Sequence, residues 1–400
     1  MRRLAVALLL LVAALATPAS ATPTHWVGAW AASAQAGGDA STDQSFRLLL
    51  HTSTGGPTVR LRFTNRYGTE PLVLRDVTVG LPTSPARPDL RPGSLRAVRF
   101  ASGSSASVPV GGEVRSLPVA FPVPGDGWLA VSFHAPGDHR TTTAHDMAWT
   151  ISFTTLPGGG DHAADTSGAA FVKPFFTWPF LTEVDVTAPR SMSTVVALGD
   201  SITDFMASVP EGNDRWPDLL DQRFRTQPGG QRFSVVNAGI NGNEAAEDNG
   251  GNALLGQAGI TRMAWDVFAV PNVSTVVLFL GVNDIGKGVP AARLVAAYRT
   301  VVTEAHRRGI RVLISTVTPT AGTALGHPTS GALGGERVEV NDWILRHASL
   351  FDGVLHFGEV VQDPVTQQLW NPAYTVGDQT HPNPVGLKVM ADSIPLELFR

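Results

Sequence analysis

The chain has no cysteine among its 400 residues, so it can hold neither a disulfide framework, nor a thiolate zinc site, nor a cysteine nucleophile. Charge is also sparse. Only 16% of residues are charged and the formal net charge is −4, which gives no electrostatic reason to bind nucleic acid or anionic lipid. No segment reaches the roughly 20 apolar residues of a membrane-spanning helix. Three motifs are missing as well: His-Glu-x-x-His, a Gly-rich loop ending in Lys-Ser/Thr, and Gly-x-Ser-x-Gly. Their absence argues against a zinc protease, a nucleoside triphosphatase and the large hydrolase fold built on that serine elbow.

What is present is ample apolar material, 43% of residues, in a chain longer than one hydrophobic core usually organises. Two domains are therefore expected, preceded by a leader. The first 21 residues join Arg2 and Arg3 to an apolar run from Leu4 to Ala16 and a small-residue site at Ala19-Ser20-Ala21, the pattern of a secretory signal. A retained N-terminal anchor is the plain alternative. Cleavage after Ala21 would leave a slightly more acidic, extracellular protein with no stable membrane anchor.

From Phe46 to about Val186 the sequence alternates in short runs broken by Gly, Pro and Ser. In "TVRLRF", Val59, Leu61 and Phe63 would face one side and Arg60 and Arg62 the other, the period of a half-buried strand. "LVLRDVTVGL", "SLPVAFPV", "WLAVSFHA" and "AWTISFTT" read the same way. Residues 22–188 are thus expected to form an all-β sandwich of the jelly-roll kind. The aromatic cluster "FVKPFFTWPF", with Phe175, Phe176, Trp178 and Phe180, is expected in the hinge between the two domains. It is expected to glue the two domains together, with stacking on a sugar ring or phenolic acid as the other reading.

After "TAPRS" the pattern changes, and continuous apolar runs alternate with helical stripes. The runs are Val195–Leu198, Val235–Val236, Val276–Leu280, Val312–Ile314 and Val354–Phe357. "RWPDLLDQRF" sets Trp216, Leu219, Leu220 and Phe224 on one stripe, and a second stripe carries Leu294, Tyr298, Val301 and Ala305 before Gly309. Residues 192–400 are therefore expected to form an α/β domain with a five-stranded parallel sheet flanked by helices.

In such sheets the working groups gather beyond the carboxyl ends of the strands. The first run ends in Gly199-Asp200-Ser201, where a glycine permits a tight turn and places a serine on the first turn of a helix. A simple helix cap is the plain alternative for that tripeptide alone. The second run ends in "NAGINGN", where the Gly239 N–H is a candidate donor, or the glycine simply turns the chain. The third ends in "GVNDIG", where Asn283 offers a neutral amide to a developing oxyanion or closes an Asx turn. Near the C-terminus, "GDQTHPNPVG" sets Asp378 three residues before His381, with Pro382 and Pro384 stiffening the segment. That aspartate can orient the imidazole and leave its other nitrogen as a general base, unless both are ordinary loop residues.

Taken together, the four blocks supply a nucleophile, donors, a base and an orienting acid. They resemble the SGNH hydrolases, also called the GDSL esterase family, over roughly the second half of the chain. The resemblance implies Ser201 as nucleophile, Gly239 and Asn283 joining the Ser201 N–H in the oxyanion hole, and His381 with Asp378 completing the triad. It also implies a five-stranded parallel sheet between helices; no cofactor or metal is expected. The β-rich half, beginning "HWVGAWAAS", is similar to the leading domain of a secreted bacterial subgroup. Phe205 departs from the glycine that many members carry after "GDSITD".

The expected activity is a two-step serine esterase, rising with pH as the histidine base loses its proton. The expected substrate is an acetylated or feruloylated plant polysaccharide or a small aryl ester, and the expected state is a monomer. The loop from Asn241 to Asn252 is expected to overhang the cleft and shape the acyl pocket, with a disordered surface loop as the other reading, and its Glu244, Glu247 and Asp248 are candidates for a cation, though their spacing demands none. The rivals are a short-chain lipase or acylhydrolase, a non-catalytic glycan-binding protein, and a glycosidase, which would need two facing carboxylates that these blocks do not supply.

Overall fold

The computed structural model describes residues 24–139, 143–204, 210–321 and 332–400, the backbone alone at 332–334. The leader, residues 1–21, and Phe205 lie outside the described residues. No helix among these is long and apolar enough to cross a membrane.

The alternating runs of the first half build two antiparallel sheets facing each other across one core. One sheet runs in the order Thr24–Ala31, Leu181–Pro189, Gly56–Thr64 and Glu113–Arg115, with Val119–Val123 also paired to Gly56–Thr64. The other is centred on Ser41–Thr52, Gly127–His139 and Leu72–Gly80. Val59, Leu61 and Phe63 point inward, as their period requires, and meet Leu48, Leu50 and Phe133 of the other layer. A small third sheet joins Gln35–Ala36, Thr143–His145 and Trp178–Pro179.

The aromatic segment does not glue the domains. It re-enters the sandwich as the short strands Lys173–Phe175 and Trp178–Pro179, which turns its rings toward that domain's own core. Trp178 meets Trp30 edge-on at 4.9 Å and donates its indole N–H to the Leu49 carbonyl. Phe180 packs on Phe133, Phe175 packs on Phe46, and Phe176 is exposed.

The domain junction is largely polar instead. Arg62, read as an outward residue of its strand, is buried because it pairs with Glu183 and donates to the Trp265 carbonyl at 3.0 and 3.1 Å. Arg115 pairs with Glu183 and Asp185 and reaches the Ala269 carbonyl, and Arg66 lies 3.5 Å over the Trp265 ring. These acceptors sit at and just beyond the C-terminal end of the helix Gly259–Asp266, where carbonyls lack helical partners and favour cations. Closer to the sheet edge, the Gly28 N–H donates to Thr194 and its carbonyl accepts from the Ser234 hydroxyl. A Cβ on Gly28 would come within 3.0 Å of Val270, so only glycine lets the first strand lie this close.

The second half is the α/β domain. Its five parallel strands run in the spatial order Phe233–Gly239, Ser193–Gly199, Val273–Phe279, Arg311–Ser315 and Gly353–Leu355. This is the 2-1-3-4-5 order of a doubly wound, flavodoxin-like sheet. Helices cover it, among them Trp216–Arg225 and Ala291–His306, whose stripes bury Trp216, Leu220 and Phe224, and Leu294, Tyr298, Val301 and Ala305. Gly309 takes a left-handed φ of 71° just past the second of these, as a helix stop requires. The strand order reverses beside Ser193–Gly199. The chain segments that leave this strand and its neighbour Val273–Phe279 therefore meet at one crevice.

Candidate active site

The strand Ser193–Gly199 delivers a single short helical turn, Ser201–Asp204. The turn is tight because Gly199 has no side chain: a Cβ there would lie 2.0 Å from the Thr203 hydroxyl. Asp200 caps the turn, its Oδ1 accepting the Ile202 N–H at 2.9 Å. Burial pushes the Asp200 carboxyl up to about 7, although the Ile202 N–H pulls the other way. Ser201, the first residue of the turn, leaves its own N–H without a helical partner.

The C-terminal block comes to the same place. His381 Nε2 lies 2.9 Å from the Ser201 hydroxyl across 180 residues of sequence, and His381 Nδ1 lies 2.5 Å from Asp378 Oδ2. The other Asp378 oxygen accepts the backbone N–H of Thr380 and of His381, each at 2.9 Å. Burial opposes the Asp378 charge, but these N–H donors and the ring outweigh it and hold the carboxyl below its ordinary range. Asn383 locks the loop from behind. Its amide donates to the carbonyls of Ala373 and Thr375, while its oxygen caps the helix Pro384–Ser393 through the Gly386 N–H.

The third block follows Val273–Phe279. Asn283 is buried, and its Nδ2 donates one hydrogen to the Asn243 carbonyl at 3.0 Å. That bond fixes the amide and leaves its second hydrogen for another acceptor. Neighbouring Asp284 accepts the N–H groups of Ala245 and Ala246 at 2.8 and 2.9 Å, and burial pushes its carboxyl up to about 6. The Asn/Gly-rich loop is thus tied down against this turn. Its acids are committed elsewhere: Glu244 pairs with Lys287, Glu247 with Arg293, and Asp248 accepts the Ala258 N–H.

Gly239 does not fit the donor role expected of it. Its N–H already donates to Asn237 Oδ1 at 2.8 Å. Its lack of a side chain serves packing instead, because a Cβ would stand 2.7 Å from both the backbone nitrogen and the Cβ of Asp204. Three residues on, Gly242 has a left-handed φ of 74°, and its N–H donates to no protein group among the described residues. It directly precedes Asn243, the residue whose carbonyl holds Asn283.

Arg262 is another residue that periodicity did not single out. It lies fully buried beneath the site on the helix Gly259–Asp266. Its guanidinium donates to the Gly199 carbonyl at 2.8 Å, the Ala238 carbonyl at 2.7 Å, Asn243 Oδ1 at 2.9 Å and the Ser33 hydroxyl at 3.1 Å, and it pairs with Asp266. One side chain therefore ties together the ends of two strands, the Asn/Gly loop and the sandwich. A lone arginine in the short helix Gly259–Asp266 gives no sign of this in the sequence.

A family model described as the GDSL-like lipase/acylhydrolase family matches residues 197–389. Through this half the chain belongs to that family, the SGNH hydrolases, and it is a carboxylic ester hydrolase. Among solved structures, a GDSL-like lipase from Bacteroides thetaiotaomicron VPI-5482 is 19% identical, over 52% of this chain and 87% of its own, with a TM-score of 0.39. The aryl esterase of M. smegmatis is 16% identical, over 50% and 95%, with a TM-score of 0.39. An acetyl xylan esterase is 23% identical, over 50% and 96%, with a TM-score of 0.37. No curated protein matches the chain.

Proposed function

We propose that the protein is a secreted serine esterase in which Ser201, His381 and Asp378 form the triad. The supporting observation is the unbroken line of contacts, 2.9 Å from hydroxyl to imidazole and 2.5 Å from imidazole to carboxylate. Neutral His381 accepts the Ser201 proton as the oxygen attacks the ester carbonyl. The imidazolium then gives that proton to the departing alcohol, leaving an acyl-serine. Water, deprotonated by the same ring, attacks the acyl-serine, releases the acid and restores the hydroxyl. Asp378 keeps the proton on Nδ1 throughout.

The oxyanion of each tetrahedral intermediate is held by the Ser201 N–H, the unengaged hydrogen of Asn283 Nδ2 and the Gly242 N–H. Gly242 enters this reading in place of Gly239 because its amide is uncommitted and its neighbour anchors Asn283.

The substrate proposed is an acylated carbohydrate or a small aryl ester, met outside the cell. The leader pattern supports export. A cavity of about 450 Å³ in the sandwich supports a sugar or phenolic group, since Phe46, Phe175 and Phe176 wall it together with Asp39, Asp146 and Lys173. Leu254, next to the Asn/Gly loop, closes one side. Neither Ser201 nor His381 lines this cavity, so it would take a part of the substrate remote from the reacting bond.

The test is hydrolysis of nitrophenyl acetate by the wild type and Ser201→Ala, with mass spectrometry of the protein after a phosphonate ester probe. Loss of turnover together with loss of the covalent adduct on Ser201 supports the reading. An active Ser201→Ala variant overturns it.

A further inference from the structure

Asp204 lies on the nucleophile turn, and its carboxylate meets a group from the other domain. His145, on the strand Thr143–His145 of the sandwich, places Nε2 3.1 Å from Asp204 Oδ1. Its Nδ1 lies 2.9 Å from the Ser33 carbonyl oxygen. Both residues of the pair are almost wholly buried, and the Trp178 ring stacks on the imidazole at 5.5 Å and 24°.

The proton count follows from the partners. A carbonyl oxygen only accepts, and so does an ionised carboxylate. A neutral imidazole has one donor, so it would leave one of these two buried contacts as a lone pair facing an oxygen. With a proton on each nitrogen, both contacts are hydrogen bonds, and the ring carries a charge that Asp204 compensates. The other charged groups facing the pair are Arg215, whose guanidinium is 3.7 Å from Asp204 Oδ1, and Arg262, which reaches Ser33 from the far side and is itself paired with Asp266. Asp146 follows His145 in the chain. Burial works against the charge on His145, yet the Asp204 carboxylate outweighs it and the group titrates above its ordinary value.

We propose that His145 is a positioning residue, supplied by the β-sandwich, which as a doubly protonated imidazolium holds the nucleophile turn in place, and that its loss of a proton sets an alkaline limb of the esterase activity. The mechanical link is short. Asp204 closes the turn that Ser201 opens, its N–H bonding back to the Asp200 carbonyl at 3.0 Å. Strand Phe233–Gly239 lies flush against it at Gly239. Deprotonation of His145 breaks one of the two bonds and leaves Asp204 less compensated, and the turn carrying Ser201 is no longer held from below. The proposal rests on Ser201 being the nucleophile.

The experiment measures kcat and KM for a nitrophenyl ester from about pH 5 to about pH 10 in the wild type, His145→Gln and Asp204→Asn. The expected wild-type profile has an acid limb from His381 and an alkaline limb from His145. His145→Gln is expected to lower kcat by about ten- to a hundred-fold, with KM little changed, and to abolish the alkaline limb while the acid limb stays. An alkaline limb that persists in His145→Gln overturns the proposal. The second measurement needs no variant of His145 and no turnover. Nitrogen NMR of the full chain labelled in histidine should show one buried ring with both nitrogens protonated above neutral pH, shifted in Asp204→Asn. If every buried ring is a neutral tautomer there, the proposal fails whatever the kinetics give. An active Ser201→Ala variant would instead remove the nucleophile assignment, a different failure.

Discussion

Asp378 and His381, three residues apart, are joined twice: ring Nδ1 to one carboxylate oxygen at 2.5 Å and backbone N–H to the other at 2.9 Å. The carboxylate therefore fixes both the rotamer of the base and the loop that carries it. Asp378→Asn keeps an acceptor but can present an NH₂ to Nδ1, which favours the wrong tautomer. Its kcat should fall by about a thousand-fold or more, with the Tm less affected. A variant within threefold of wild type, roughly 0.7 kcal/mol, would mean that a carbonyl orients His381 instead.

Asn283→Ala removes the side-chain donor and should reduce kcat by about a hundred-fold or more, while KM for a nitrophenyl ester changes little. A rise confined to KM would show that the amide binds the ground state and does not favour the oxyanion.

Gly239→Ala and Gly239→Ser should lower the melting temperature, since the new Cβ meets the Asp204 backbone at 2.7 Å in a region without slack. Calorimetry of the purified variants checks this. Wild-type stability with a selective loss of kcat would return Gly239 to the oxyanion hole.

Asp200 sets a pH dependence of stability. Its folded-state carboxyl titrates at about 7, raised by burial from 3.8. Between those values the folded protein binds more protons than the unfolded chain, so this group's contribution falls as pH rises through that window. Asp200→Asn retains an oxygen for the Ile202 N–H and removes the ionisation. Its Tm should therefore decline less than that of the wild type from about pH 4 to about pH 7. Parallel curves for the two proteins would contradict the assignment.

Arg62→Ala leaves Glu183 buried with one fewer cation and the Trp265 carbonyl without its donor. Leaving a buried charge wholly unpaired typically costs about 3–5 kcal/mol; because Arg115 still pairs with Glu183, chemical denaturation should register a smaller loss. An unchanged midpoint would mean that Arg115 alone compensates Glu183.

The parallel sheet and its five strands were legible because each apolar run is continuous and ends in a turn signal. Ser201 and Asn283 stood out because each follows such an end, and Asp378 and His381 because a carboxylate and an imidazole stand three residues apart in a proline-stiffened segment just before a helix. Gly239 misled for a physical reason: a glycine after a strand announces close approach, but not whether the approaching group is a ligand or the chain itself. Here it is Asp204. Arg62 misled likewise, since period-2 alternation tells which face a side chain takes and not whether a second domain covers that face. The aromatic segment was placed near the junction by its position in the chain, whereas its rings turned inward once Lys173–Phe175 and Trp178–Pro179 paired as edge strands. His145, Arg262 and Gly242 carried no readable signal, since their roles depend on contacts between segments distant in sequence.

The first strand of the sandwich, Thr24–Ala31, pairs with the last, Leu181–Pro189, and its Gly28 rests on Val236, Val270 and Thr194 of the neighbouring sheet edge. A catalytic half excised after residue 190 would thus bare Val236 and Val270, leave the Thr194 and Ser234 hydroxyls without Gly28, and lose the arginine clasp on Trp265 and Ala269. The intact polypeptide should melt in one calorimetric peak, and the truncated fragment should aggregate on purification.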